Sequence, residues 1–487
     1  MKYFLKYYCT FLLLSVSYYG ISQSLPNEKL DIKIESAGTL TDGDYAPFWI
    51  TSNKYGIGSE TRNKGYLKTG LFASKNLFDN KLNVSIGTDI LVSDNIQDNF
   101  YFHQLYADLK YRSLGLSIGA KERSNPFKNK DLSTGGLTLS NNARPIPQIE
   151  AGFPTFVEIP YTNGYMQIQG GISYGRFNDD KYKIPYAGDG SYAENVLYHR
   201  KYAYFKIEKK SPWSFVLGLE MDTQWGGDFY DKNGHRSSSS AGIKDFFKII
   251  TPMSGGSESN GTDQINIQGN VYGSWHFILN YKKENYSIKT YHEHYYDDHS
   301  GMFFKNMPDG IYGLELNWNK KQIISSVLLE YIHTKNQSGP FLFDKSNNIP
   351  IQVSAGDNYY NHVDYISITN HGFVLGNPLL TSPIYNNKRT LQVLNTRLSA
   401  FHGGVSGYLT NDLKYKTLLT YSKSWGTPFI PSRQIRTQFS SMLEMEYTPT
   451  KIEGWAFTGA LAYDDSSTIV GDNLGFQLKI SKLFHIR

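Results

Sequence analysis

Apolar and polar residues alternate strictly over stretches of about ten, and the pattern returns along the whole chain. From Leu82 to Val92 the even positions begin Leu82, Val84, Ile86, Thr88 and Ile90, and the odd ones read Asn83, Ser85, Gly87 and Asp89. From Leu413 to Tyr421 one face carries Leu413, Tyr415, Thr417, Leu419 and Tyr421, while the other begins with Lys414 and Lys416. The last segment sets Phe476, Leu478, Ile480, Phe484 and Ile486 against Gln477, Lys479, Ser481 and His485. A period of two predicts strands. Strands of a soluble sandwich average about five or six residues, whereas about ten is what a tilted strand needs to cross a bilayer.

About eighteen such strands are predicted: 31–39, 65–77, 82–92, 101–112, 114–121, 152–160, 164–174, 199–209, 213–225, 270–281, 285–295, 310–319, 322–333, 391–410, 413–423, 437–447, 454–464 and 474–486. Tight polar turns are expected near Asp79–Lys81, Ser113, Thr162–Gly164, Lys210–Pro212, Lys282–Glu284, Lys320–Lys321 and Asn411–Asp412, with a longer one at Thr448–Glu453. Long polar stretches alternate with them at 40–64, 122–151, 175–198, 226–269 and 334–390. Short turns on one rim and long loops on the other characterise outer-membrane barrels. Tyr111, Trp213, Tyr281, Trp318, Tyr447 and Trp455 stand beside the short turns, where an amphipathic ring suits the headgroup boundary. An open edge strand would leave N–H and C=O groups unpaired in hydrocarbon, so the sheet must close. The expected fold is all-β: a single transmembrane antiparallel β-barrel with long extracellular loops and short periplasmic turns.

Composition removes the competing classes. A length of 487 residues would suggest about three domains, but one barrel absorbs it. Aromatics at 15% and charged residues at only 19% exclude a disordered chain. No apolar run reaches about 18 residues, which excludes membrane-spanning helices, and a single cysteine excludes a disulfide scaffold. The first 22 residues have a secretory layout: basic Lys2 and Lys6, an apolar centre from Phe11 to Val16, and small Gly20 and Ser22 before an expected cut at Gln23. Removal would take Cys9 and both lysines, lowering the net charge from +5 to +3 and giving no support for nucleic-acid binding.

Several loop motifs carry a family resemblance. They are Ala46-Pro-Phe-Trp-Ile with Asn53-Lys-Tyr-Gly56, then Asn142-Ala-Arg-Pro-Ile-Pro147, then Asp357-Asn-Tyr-Tyr-Asn-His362 with Leu375-Gly-Asn-Pro-Leu-Leu380. In order and spacing they resemble the Wzi capsule-assembly family in its Bacteroidetes-type form. The resemblance implies an eighteen-stranded outer-membrane barrel of a Gram-negative cell. It also implies a lectin that holds capsular polysaccharide on the surface, among outer-membrane lipid and lipopolysaccharide, with polysaccharide export machinery as a partner.

Sugar recognition needs flat apolar faces, planar polar groups and cations for carboxylates. The candidates are Trp49, Asn53, Tyr55, Arg144, Tyr359, Tyr360, Asn361, His362 and Asp364, with Tyr365, Asn370 and His371 in the same long loop. The same residues would serve a loop that folds into the barrel and satisfies itself, and both can hold at once. No cofactor or metal is expected. His292, His294 and His299 with Glu293, Asp297 and Asp298 form the densest ionisable cluster, yet their spacing matches no zinc motif and reads as a solvated strand end. Gly-x-Ser-x-Gly is absent, and the adjacent pairs Asp179–Asp180 and Asp464–Asp465 would point to opposite faces of a strand. An enzyme is therefore not expected. The main alternative is a porin for sugars or other small solutes.

Overall fold

Each alternating segment forms a strand. In chain order they are β1 (Glu28–Gly43), β2 (Lys64–Leu77), β3 (Leu82–Asp94), β4 (Phe100–Tyr111), β5 (Leu114–Ala120), β6 (Gln148–Glu158), β7 (Met166–Arg176), β8 (Leu197–Glu208) and β9 (Trp213–Trp225). The second half comprises β10 (Asn270–Lys282), β11 (Tyr286–Tyr296), β12 (Gly310–Trp318), β13 (Ser326–His333), β14 (Leu398–Tyr408), β15 (Leu413–Gly426), β16 (Pro431–Tyr447), β17 (Trp455–Ser466) and β18 (Asn473–Ile486). Every strand pairs antiparallel with the next, and β1 also pairs with β18, from Leu30 opposite Ile486 to Gly43 opposite Asn473. The sheet is a closed barrel of eighteen strands. The computed structural model describes residues 28–486 apart from 189, 209–210, 243–244, 247–248, 250–268, 298, 338–340, 345–348, 354–356 and 387–389. The expected signal segment, 1–22, and residues 250–268 of the long stretch 226–269 lie outside the described residues.

The alternation sorts the wall into two faces. Ile86, Leu105, Leu419 and Leu478 point outward and stay exposed, whereas Asp89, Glu220, Glu330 and Ser440 point into the lumen and are buried. Exposed leucine on a closed barrel is the face offered to hydrocarbon. Tyr111, Trp213, Trp318 and Tyr447 are exposed at the short-turn end. Trp213 packs on Tyr281 with centroids 4.6 Å apart, and Trp455 stacks on Phe457 at 5.9 Å.

The departures from strict period two have physical causes. In β4, His103 is an extra residue between Gln104, opposite Asp89, and Phe102, opposite Ile90. This bulge turns both His103 and Gln104 inward while Phe102 and Leu105 stay outside. The turn expected at Lys320–Lys321 extends from Asn319 to Ser325 and folds back against β14, where a Cβ on Gly407 would meet the Ile323 carbonyl oxygen at 1.7 Å. The segment 391–397, expected as the start of a strand, belongs instead to the lumen filling, with Val393 fully buried.

That filling decides between the two readings of the long stretches, outward loops and loops that fold inward: much of 44–63, 122–147 and 357–397 runs back into the barrel. Their average polarity hides Trp49, Leu132, Leu137, Tyr359, Tyr360, Phe373 and Leu380, which join wall residues such as Ile311, Leu328 and Ala400 in one apolar core. The wall side chains of a small barrel fill its interior, but eighteen strands enclose a wider lumen that needs further chain to fill it. The short helix α1 (Phe48–Thr51) lies within this plug. Outside it stand a second helix, α2 (Asp180–Tyr186), and a small sheet of Tyr192–Glu194, Gly227–Asp231 and Gly234–Ser239.

Candidate functional site

Four glutamates on the lumen wall reach the plug segment 122–147. Glu220 of β9 accepts from the Asn125 amide at 3.4 Å, and Glu315 of β12 from the Asn129 amide at 2.9 Å. Glu293 of β11 accepts from Leu137 N at 2.6 Å and pairs with Lys128 at 3.0 Å. Glu330 of β13 takes four bonds, from Ser133 Oγ at 2.6 Å, Thr134 N and Oγ1 at 2.8 Å each, and Tyr291 OH at 2.5 Å. A buried carboxylate persists when charge-assisted bonds satisfy it, so these side chains act as cleats for the plug.

The adjoining wall, β14 to β17, holds the first plug segment through a relay. Trp49 Nε1 donates to Thr420 Oγ1 at 3.2 Å, and Phe48 N donates to Asp464 at 2.8 Å. His402 Nε2 faces the Leu132 carbonyl at 2.6 Å, so that nitrogen carries the proton, and Nδ1 accepts from Thr420 at 2.7 Å.

The loop motifs interlock with one another. Tyr55 N and Gly56 N donate to the carbonyls of Asn141 and Asn142 at 2.6 and 2.8 Å. Asn53 N donates to Asn142 Oδ1 at 3.0 Å, and its amide reaches Thr134 O at 2.9 Å. Asn142 in turn reaches Val374 O, Ser140 Oγ reaches Gly376 O, and Asn377 reaches Thr134 and Gly135. Tyr360 OH donates to Leu137 O at 2.5 Å and accepts from Asn377 N at 2.8 Å. Asn53, Tyr55, Tyr360 and His371 adopt positive φ, which tight interlocking turns require. Gly376 fits between these strata: a Cβ there would lie 2.0 Å from both Leu137 O and Tyr360 OH. Gly376→Ala is expected to cost about 1–3 kcal/mol by overpacking, seen as faster limited proteolysis within 122–147 while the barrel itself keeps its heat resistance.

These positions decide what each sugar candidate can touch. Trp49, Tyr359 and Tyr360, expected to offer ring faces, are at most 2% exposed. Their rings pack in the plug, with Tyr359 OH donating to Asp309 at 3.0 Å and accepting from Asn306 at 2.6 Å. Asn53 and Tyr55 bind other plug strata. Arg144 is 5% exposed; it lies over the Tyr101 ring at 3.8 Å and donates to Asp98 at 2.6 Å, and Asp98 is half exposed. Asn361 and His362 are half-buried, with Asn361 exchanging two bonds of 2.8 Å with Val393. Asp364 pairs with Arg236 of the small sheet. Burial takes the His362 imidazole down to about 4, although Asp364 pulls the other way. Burial also holds His371 well below its usual range, with Arg144 and Lys183 adding repulsion.

The small outer sheet supplies what the candidate list lacked. Tyr192 and Tyr230 stack at 5.0 Å with planes 8° apart, and His235 meets the Tyr230 edge at 5.4 Å. Beside them Asn195 donates to Asp228 at 2.7 Å, and Ser238 Oγ donates to Asp228 at 2.7 Å. These two donors hold the Asp228 carboxyl below the usual carboxylate range. The result is an aromatic shelf with a polar border at the long-loop end. Its residues are scattered over 192–238, and only their pairing in the sheet brings them together.

The histidine cluster divides between faces. His292 and His294 share the outer face of β11, but the end of the strand is not solvated as expected: His294 is fully buried against the carbonyls of Asp309 and Gly301 at 3.1 Å each. Glu293 points the other way, to the plug. Among the described residues no three His, Cys, Asp or Glu converge as a metal set. Asp464 and Asp465 diverge as strand neighbours do, whereas Asp179 and Asp180 begin α2 rather than lie on a strand.

The family described as capsule assembly protein Wzi matches residues 49–381. No curated protein matches the chain. Among solved structures the chain is similar to Wzi of Escherichia coli, described as an outer-membrane protein involved in group 1 capsule assembly and a carbohydrate-binding β-barrel. The identity is 14%, the match covers 92% of this chain and 83% of that one, and the TM-score is 0.56. It is also similar to OprD of Pseudomonas aeruginosa, at 9% identity over 96% and 97% of the two chains with a TM-score of 0.48.

Proposed function

This chain belongs to the Wzi capsule-assembly family, and on that footing we propose that its outward face binds surface polysaccharide and helps assemble and attach the capsule. It is a Gram-negative outer-membrane barrel, and residues 1–22 are read as its export signal. The observation that carries the reading is the filled lumen: four wall glutamates and the Trp49–Thr420–His402 relay hold chain inside the barrel, which points to the outer face as the working surface. The shelf of Tyr192 and Tyr230, with Asn195 and Asp228, offers the ring faces and planar polar groups that sugars need. Asn361 and His362 adjoin it through the Asp364–Arg236 pair. In this reading Trp49, Asn53, Tyr55, Arg144, Tyr359 and Tyr360 position the surface from below. The apolar wall and its girdle face outer-membrane lipid and lipopolysaccharide, and a polysaccharide export complex is the candidate partner at the short-turn end. The reading involves no catalytic step.

Deletion of the gene is expected to release capsular polysaccharide into the medium, and purified protein is expected to pull that polysaccharide down. A deletion strain that keeps its capsule, together with a protein that retains none of it, would refute the proposal. The alternative, a porin for sugars or small solutes, predicts steady open-channel current in a planar bilayer. Silence at neutral pH is expected here.

The silence should depend on pH. Unfolded histidine protonates near 6.5, whereas docked His362 protonates near 4 and His371 well below its usual range. The docked plug thus has its full contribution from these groups above about 6.5, and loses it as pH falls towards about 4. His362 faces Asp364 and Arg236, and His371 faces Arg144, Lys183 and Asp98. Current bursts are expected to begin below about pH 5 and to diminish in a His362→Gln/His371→Gln chain. Identical acid responses in the two proteins would contradict this assignment.

A further inference from the structure

The plug fills the outer part of the lumen and stops short of the periplasmic end. Beneath it a cavity of about 480 Å³ opens among the short turns, between the inner faces of β3 to β8 and a roof formed by 121–126 and Lys130. Such a volume lies in the range of small-ligand pockets. Its lining carries five cations, Lys110, Lys121, Arg123, Lys130 and Arg200, against three carboxylates, Asp108, Glu122 and Glu150.

The cations are not equally committed. Lys121 pairs with Asp108 at 2.5 Å, and Arg123 with Glu150 at 2.8 Å. Arg200 is 5% exposed, yet its closest carboxylate oxygens lie at 3.4 and 3.5 Å, and its Nε has no hydrogen-bond acceptor. Among the described residues, neither Lys110 nor Lys130 has a carboxylate partner. Glu220 and Asp222 balance Arg200 from the wall, so the uncompensated positive charge of the lining is that of half-buried Lys110 and exposed Lys130, and Arg200 adds a guanidinium with a spare donor.

The roof makes the cavity a dead end. Above the roof, Lys121, Arg123 and Arg200 also line a water-sized space of about 30 Å³ that reaches Arg144. A dead end accepts the end of a chain rather than its middle. Hydroxyl and amide groups of Ser117 and Gln169 line the sides, and they suit sugar hydroxyls.

We propose that this vestibule is a second glycan site, separate from the outer face, which takes the terminus of a short carboxylate-bearing oligosaccharide from the periplasmic side. The carboxylate sits among Lys110, Lys130 and Arg200. Recognition here does not depend on the outer shelf.

The test uses the full chain in detergent, where both ends are accessible, and titrates tri-galacturonate, maltotriose and tri-glutamate by calorimetry. Tri-galacturonate is expected to bind and to weaken about tenfold or more in Lys110→Gln/Lys130→Gln, with maltotriose far weaker in both proteins. The Tyr192→Ala/Tyr230→Ala chain is expected to keep this binding, which separates the vestibule from the outer face. Heat-shifted gel mobility verifies that each variant is a closed barrel. Absence of tri-galacturonate binding, indifference to the lysine pair, or loss with the shelf variant alone would overturn the site. Equal binding of tri-glutamate would overturn its assignment to sugars in favour of an acidic peptide.

Discussion

A Glu330→Ala chain is expected to conduct where the parent is silent. The carboxylate accepts from Ser133, from both polar groups of Thr134 and from Tyr291, and it is 3% exposed. Its removal leaves several buried donors without acceptors, and breaking a buried charged network in this way costs about 3–5 kcal/mol. Little of that cost falls on the barrel, whose strands are held by backbone ladders on both sides. It falls on the docking of 122–147. Planar-bilayer recording should show open-channel steps, and protease should cut within 122–147, while the gel mobility of the closed barrel persists. Glu330→Gln keeps an acceptor for Thr134 N but loses the charge, so an intermediate open fraction is expected. A Glu330→Ala protein as silent and protease-resistant as the parent would show that the cleat is dispensable.

The Tyr192→Ala/Tyr230→Ala pair should weaken polysaccharide retention by about ten- to a hundredfold, with each ring contributing about 0.5–1.5 kcal/mol beyond its buried area. The rings are half-buried in a small sheet outside the barrel, so folding of the wall is unaffected. Trp49→Leu provides the contrast. It removes a ring at most 2% exposed and the bond to Thr420, so thermal stability of the plug should fall more than affinity does. Binding assays on the two proteins separate contact from support. Retention unchanged in the shelf pair but lost in Trp49→Leu would reverse the assignment.

The barrel was legible because its two faces meet different solvents. Ile86 and Leu478 meet lipid, Asp89 and Gln477 meet the lumen, and the alternation between them is written directly in the chain. Boundaries failed where that contrast weakens: His103 adds a residue to β4, and 391–397 carries apolar residues for the plug rather than for lipid. The candidate site was legible only in part. Asn53, Arg144, Tyr360 and Asn377 were found through motifs, but a motif reports that residues are needed together, not which face they serve. Here most of them bind one another. The shelf escaped notice because Tyr192, Tyr230 and Asp228 sit in no periodic segment and meet only through strand pairing in a small sheet.

The seat of the first plug segment has a consequence for biogenesis. Tyr45 N donates to Asn473 of β18, Phe48 N to Asp464 of β17, and Trp49 to Thr420 of β15. Residues made near the start of the polypeptide are thus tied to the wall by residues made near its end. A chain truncated before β17 can offer 44–63 no complete seat, and its β1 has no β18 to pair with. Sealing of the pore therefore certifies that the whole chain has been delivered and zipped, so a prematurely terminated product betrays itself by leakiness as well as by an open seam.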